Sequence, residues 1–145
     1  MNADEIVELL QMQPHPEGGH YVETWRHTPE EGGRGHGSAI YFLLRDGLES
    51  ARHRVDAAET WHFYAGDPVE LRAGMQMNEA TTHLIGTDLR AGQRPQFTVP
   101  EHAWQSARST GVWSLVGCTV SPAFTFEGFE LAEPGSDAPD TMTRP

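Results

Sequence analysis

The hydrophobic rhythm of the chain changes once. Over residues 3 to 12, Ile6, Leu9 and Leu10 recur at i, i+3 and i+4, which predicts one short amphipathic helix with Asp4 as its N-cap. From Gly19 onward, short runs rich in aromatic and β-branched residues alternate with polar positions and are broken by Gly, Pro or Asp. Strands are predicted at HYVETWR (20 to 26), SAIYFLL (38 to 44), SARHRV (50 to 55), ETWHFYA (59 to 65) and PVELRA (68 to 73). Further strands are predicted at THLIG (82 to 86), QFTVP (96 to 100), AWQSA (103 to 107), VWSLVGCTV (112 to 120) and FTFEGF (124 to 129). About ten short strands without helical crossovers mean an antiparallel all-β sandwich or barrel, most simply a jelly roll. HTPEEGGRGHG (27 to 37) reads as a polar loop, and residues 133 to 145 read as a flexible tail behind a single domain spanning 1 to 132.

Composition narrows the function. At 145 residues, with four Trp, six Phe and three Tyr, the chain can bury one core. Its net charge is −11 and its ten basic residues are all Arg, scattered among acids, so no basic face for nucleic acid is expected. The lack of Lys excludes Schiff-base chemistry and a phosphate-loop lysine. One cysteine, Cys118, allows no internal disulfide and reads as a buried thiol. No apolar run reaches the ~20 residues of a membrane span, and MNADEIVELL lacks a leader's layout, so a cytoplasmic protein is expected.

The chemistry concentrates in GLESARHRVDAAETWHFYAG, residues 47 to 66. At strand period, His53 and Val55 share one face, and Glu59, Trp61 and Phe63 share another, while His62 and Tyr64 point away. If 51 to 55 turns back through Asp56, Ala57 and Ala58, His53 and Glu59 meet on one side of the same sheet. A histidine and a carboxylate on an apolar inner face need hydrogen bonds, mutual pairing or a metal. Inert polar filling of the interior is the plain alternative. Glu23, on one face with Tyr21 and Trp25, is a second inward candidate, and Trp61 and Trp104 offer flat faces for a sugar or base. His15 and His20 in HPEGGH have metal-like spacing, but a Pro- and Gly-rich turn accounts for that segment. GGRGHGS lacks the ending of a phosphate loop.

These residues resemble a known pattern. The first motif of the cupin superfamily runs Gly, five residues, His-x-His, three or four residues, Glu, six residues, Gly; here Gly47, His53, Glu59 and Gly66 match it, with Val55 at the second histidine. The second motif, Pro-x-Gly-x-x-His, aligns with Pro100 to Gln105, keeping only the proline. The phrases HPEGGHYVET, HRVDAAETWHFYAGDP, VPEHAWQSA and WSLVGCTVSPAFTFEGFEL resemble the small cupin family called domain of unknown function 985, over residues 8 to 132. The resemblance implies a double-stranded β-helix, a jelly-roll barrel usually paired as a homodimer, with an interior small-molecule site like that of sugar-nucleotide epimerases.

Three readings stay open on the residues. One is an epimerase or isomerase acting on a carbohydrate or nucleotide-sugar, with His53 and Glu59 catalytic and Tyr21 or Tyr41 as the opposing acid. Glu23, Tyr21, Tyr41, Trp61, Phe63, Trp104 and Gln105 would line its ligand site. The second is a non-catalytic ligand binder using the same residues. The third is a metal-dependent dioxygenase or isomerase holding a divalent metal (Fe, Mn, Ni or Zn) with His53, Glu59 and Gln105, a thin donor set.

Overall fold

The computed structural model describes residues 1–133. The tail expected over 133 to 145 therefore lies, past its first residue, outside the described residues.

The helix α1 spans Ala3–Leu10. Its cap is Asn2 rather than Asp4: the Asn2 side chain accepts from the Glu5 N–H and the Glu5 side chain accepts from the Asn2 N–H, a reciprocal capping box. Asp4 instead meets Arg45 at 2.6 Å. Leu9 is exposed, and the buried stripe is Ala3, Ile6 and the partly buried Val7 and Leu10, laid over Leu43.

Among the described residues eleven strands follow: β1 (Gln13–Pro14), β2 (His20–Arg26), β3 (Ser38–Arg45), β4 (His53–Val55), β5 (Ala58–Gly66), β6 (Val69–Gly74), β7 (Thr81–Ile85), β8 (Gln96–Val99), β9 (Trp104–Ser109), β10 (Trp113–Ser121) and β11 (Phe129–Leu131). They form two antiparallel sheets, β1-β2-β3-β10-β5-β8 and β11-β4-β9-β6-β7, which face each other as a jelly-roll sandwich without closing into one continuous barrel. The strand expected over 124 to 129 is broken. Phe126–Gly128 is a 3-10 turn in which the Thr125 side chain accepts from the Gly128 N–H, and only Phe129 onward pairs, with β4. That break aims Phe124, Phe126 and Phe129 at one cavity, which an unbroken period-2 strand could not do for residues three apart.

The largest departure from the sequence reading concerns β4 and β5. They are joined by two residues, yet they belong to different sheets. His53 therefore pairs in register with Gln105 of β9, and Glu59 lies between Val99 and Val120 of the other sheet. The two side chains approach the interior from opposite layers, not as hairpin neighbours. The corner is pinned by Arg34, whose guanidinium meets both Asp56 carboxylate oxygens at 2.7 and 2.9 Å and donates to the Ala123 carbonyl at 2.7 Å. The motif glycines also have a backbone role: Gly47 and Gly66 take φ of 67° and 86°, values a side chain disfavours.

One end of the sandwich is packed with apolar side chains: Phe42, Leu44, Trp61, Val69, Leu71, Ile85, Val99 and Val116, all at most 2% exposed. Each contributes roughly 1.5–3 kcal/mol by leaving water. The other end is not filled.

Candidate functional site

A cavity of about 230 Å³ occupies that other end, between the sheets and under the β1–β2 loop. Its wall is made by Glu17, Tyr21, Glu23, His53, Glu59, Cys118 and the three Phe residues, with His15 among them.

His53 is 1% exposed, and its Nδ1 lies 2.8 Å from the Ala51 carbonyl. A carbonyl only accepts, so Nδ1 carries the hydrogen and Nε2 the lone pair. Burial lowers its pKa to about 4 against the opposing pull of the Ala51 contact, so the ring is neutral at pH 7. Glu59 accepts from Gln105 Nε2 at 2.8 Å, and Gln105 Oε1 accepts from Trp61 Nε1 at 3.0 Å. The indole can only donate, so it fixes which way the Gln105 amide faces and leaves its NH₂ to the carboxyl. The Cys118 thiol also bonds to Glu59. Burial raises the Glu59 pKa to about 7, with the Gln105 and Cys118 hydrogen bonds holding it from going higher.

Glu17 and His15 complete the group. The segment HPEGGH is indeed a turn, closed by the Gly18 N–H on the His15 carbonyl and the His15 N–H on the Gly19 carbonyl. Its side chains nevertheless reach inward: both His15 and Glu17 are 8% exposed. The Glu17 N–H donates to His15 Nδ1 at 3.1 Å, and its carbonyl accepts from the Ala51 N–H, which ties the loop to β4. Burial, then the nearby Glu59, pushes the Glu17 carboxyl well above its usual range. Burial, then His53, lowers His15 to about 4. Glu17 Oε2 lies 3.0 Å from His53 Nδ1, but the two do not form an ion pair. The imidazole is neutral, its hydrogen goes to Ala51, and Oε2 is buried with no hydrogen-bond partner among the described residues.

The remaining sequence candidates divide cleanly. Tyr21 and Glu23 line the cavity as expected, Glu23 bidentate with Arg26 at the rim. His62 meets Thr119 on the outer surface and Tyr64 is exposed, both as parity required. Other candidates are corrected. Glu59 is not the carboxylate beside His53; Glu17 is. Tyr41 lies on the outer face of β3 with Tyr64 and the helix cluster, because Phe42 and Leu44 take the inner positions. Trp61 and Phe63 belong to the apolar core, Trp61 serving the site only through Gln105. Trp104 packs on Met77 under Arg54, on the face opposite Gln105. Gln105 lies behind the cavity wall and holds Glu59 there.

The donor set does not fit the expected metal. Val55 occupies the second histidine position, the one Gln105 oxygen is spent on Trp61, and its nitrogen faces Glu59. Among the described residues no group of three or more His, Cys, Asp or Glu side chains could hold a metal ion. No helix among them is long and apolar enough to cross a membrane.

A family model described as "Cupin superfamily (DUF985)" matches residues 4–132. A crystal structure of a protein from Shewanella oneidensis is 42% identical with a TM-score of 0.85, over 92% of this chain and 85% of that one. A hypothetical protein from Leishmania major is 32% identical with a TM-score of 0.80, over 91% and 88%. An oxalate decarboxylase from Bacillus subtilis shares the fold at 11% identity and a TM-score of 0.62, over 81% of this chain and 29% of that one. No curated protein matches the chain.

Proposed function

Because the chain belongs to the cupin superfamily, in the family described as DUF985, we propose that its cavity binds a small polar metabolite of the carbohydrate class and moves a proton on it. The reaction class is isomerisation or epimerisation, with Glu59 and His53 touching the substrate. One observation carries this reading: the Glu59 carboxyl, buried in the cavity wall and fixed through one oxygen by Gln105 at 2.8 Å, has a pKa raised to about 7. A carboxyl poised there can take and return a proton at neutral pH, the condition for efficient acid-base work.

The steps follow from the groups present. Glu59 as carboxylate accepts the proton from the carbon beside a substrate carbonyl. The electron pair of that C–H bond moves toward the carbonyl oxygen, giving an enediolate. Tyr21 accepts a hydrogen bond from Gln13 Nε2 at 3.2 Å, so its own O–H remains to donate to that oxygen. Neutral His53 offers its Nε2 lone pair to a substrate hydroxyl. Return of the proton by Glu59 to the neighbouring carbon, with the hydroxyl proton passing to the former carbonyl oxygen through His53 Nε2, gives the isomer; delivery of the Tyr21 proton to the opposite face, with Glu59 keeping the one it took, gives the epimer.

A volume of about 230 Å³ lies below the ~300–1,000 Å³ usual for drug-sized ligands, which favours a monosaccharide-sized substrate over a nucleotide-linked one. A cytoplasmic location and a homodimer are part of the proposal, the dimer supported by exposed Trp25 and by the place of β8 at the end of its sheet among the described residues. The mass of a monomer in light scattering at micromolar concentration would remove the dimer.

The test is deuterium uptake from D₂O by a panel of small aldoses and ketoses, read by NMR at the carbon beside the carbonyl. Wild type labels one of them, and Glu59→Gln loses ~10²–10⁴-fold in rate. A sugar that binds without labelling would instead make the protein a non-catalytic binder.

A further inference from the structure

The cavity is acidic inside, and the one arginine in its wall is already paired with Glu23. Three of its wall residues are glutamates, and the chain contains no Lys. Arg26, the one arginine in the wall, sits at the rim with Nε and Nη2 already given to Glu23. Both histidines are neutral there. Meanwhile Glu17 Oε2, on a side chain more than nine-tenths buried, has no hydrogen-bond partner among the described residues. A buried acceptor without a donor costs free energy in the empty site and gains most from a ligand that brings an N–H or O–H.

The rest of the wall is aromatic. His15 has the rings of Tyr21, Phe129 and Phe124 at 4.7, 5.8 and 6.4 Å between centroids, and Phe124 and Phe129 lie 5.8 Å apart. Rings of this kind accept the carbon skeleton of a ligand and favour a positive charge nearby. An anion would disfavour the charged forms of Glu17 and Glu59 still further, with only the Glu23-paired Arg26 to receive it, and a neutral alcohol would fill the donor vacancy without favouring those charged forms as a cation would.

We infer that the cavity selects a small alkylammonium compound, a primary amine whose N–H groups donate to the Glu17 and Glu59 carboxyl groups while its carbon skeleton lies against His15, Phe124 and Phe129. This deepens the reading above, resting on the same cavity, by naming the substrate class: an amine-bearing metabolite such as an amino sugar, not a phosphorylated one. It also gives Glu17 a role as a specificity-determining residue, distinct from the proton carrier Glu59.

The test uses three six-membered-ring probes on the full chain: cyclohexylammonium, cyclohexanol and cyclohexanecarboxylate, followed by ligand-observed NMR titration at pH 7. The ammonium binds about tenfold or more tighter than the other two, and Glu17→Gln removes that preference while the protein's own spectrum stays dispersed. Carboxylate or alcohol binding as tight as the ammonium, or an ammonium preference untouched in folded Glu17→Gln, overturns the inference. The wild-type series decides even if the variant fails to fold. Cation preference without deuterium exchange on any sugar would sink the proton-transfer reading alone, and exchange without cation preference would sink this one alone.

Discussion

The two ends of the sandwich use the same strands for opposite purposes. Along β10, Val116 fills the apolar end, while Cys118 and Val120 reach the cavity. Along β5, Trp61 is core and Glu59, two residues earlier on the same face, is cavity wall. The apolar end gains its stability from close packing and tolerates no volume change. The polar end accumulates buried Glu17, His53 and Glu59, whose charged forms are all disfavoured by burial. Stability thus comes from one end and reactivity from the other, and the two meet at one hydrogen-bonded chain, Trp61 to Gln105 to Glu59.

That division can be broken at three levels. The largest effect belongs to the packed end. Leu71→Ala removes a fully buried side chain and is expected to cost ~2–5 kcal/mol in urea unfolding, with the Glu59 titration unchanged in the folded protein. Gln105→Leu cuts the link. It leaves the Trp61 indole N–H unpaired, at ~1–3 kcal/mol, and withdraws a hydrogen bond that lowers the Glu59 pKa, so that pKa moves above 7. A stability loss with no change in Glu59 titration would show the chain to be structural only.

The smallest effect is a slope. His15 and His53 titrate at about 4 in the folded chain against 6.5 when exposed, so the stability that their neutral forms hold is lost as pH falls from 6.5 toward 4. Glu59 and Glu17 have the opposite sign: they are raised, so the stability of their protonated forms is present below 4.5 and lost as pH rises through 7 and beyond. Thermal melts should therefore decline from pH 6.5 to 8, and Glu17→Gln should flatten that decline. An unchanged slope would mean that Glu17 does not carry it.

Sequence reading reached the strands and half of the site. Parity alone placed Glu59 inward and His62 and Tyr64 outward, because β5 alternates in burial from Ala58 to Trp61 before its pattern breaks. It failed where alternation carries no information. Strand β3 is apolar on both faces, since α1 covers its outer side, so nothing in SAIYFLL distinguished Tyr41 from an inward residue. Trp104 was legible and misread: adjacent to Gln105 on a strand, it must face the other way. Glu17 and His15 lie in a turn, where no period relates neighbours, and their side-chain directions are set by the Gly18 and Gly19 backbone. The one available signal was composition: a histidine and a glutamate set in a Pro- and Gly-rich turn. The jump of the chain between sheets at Asp56 was invisible for a similar reason, because a two-residue connection suits a hairpin as well as a corner.

The central claim is that burial holds Glu59 at the edge of protonation in a working cavity. ¹³C-carboxyl NMR of glutamate-labelled protein, with Glu59→Gln for assignment, measures it directly. The expected result is a carboxyl resonance that titrates with a midpoint near pH 7 and vanishes in the variant. A Glu59 resonance that is fully ionised by pH 6, with its midpoint near the ordinary 4.5, would contradict it.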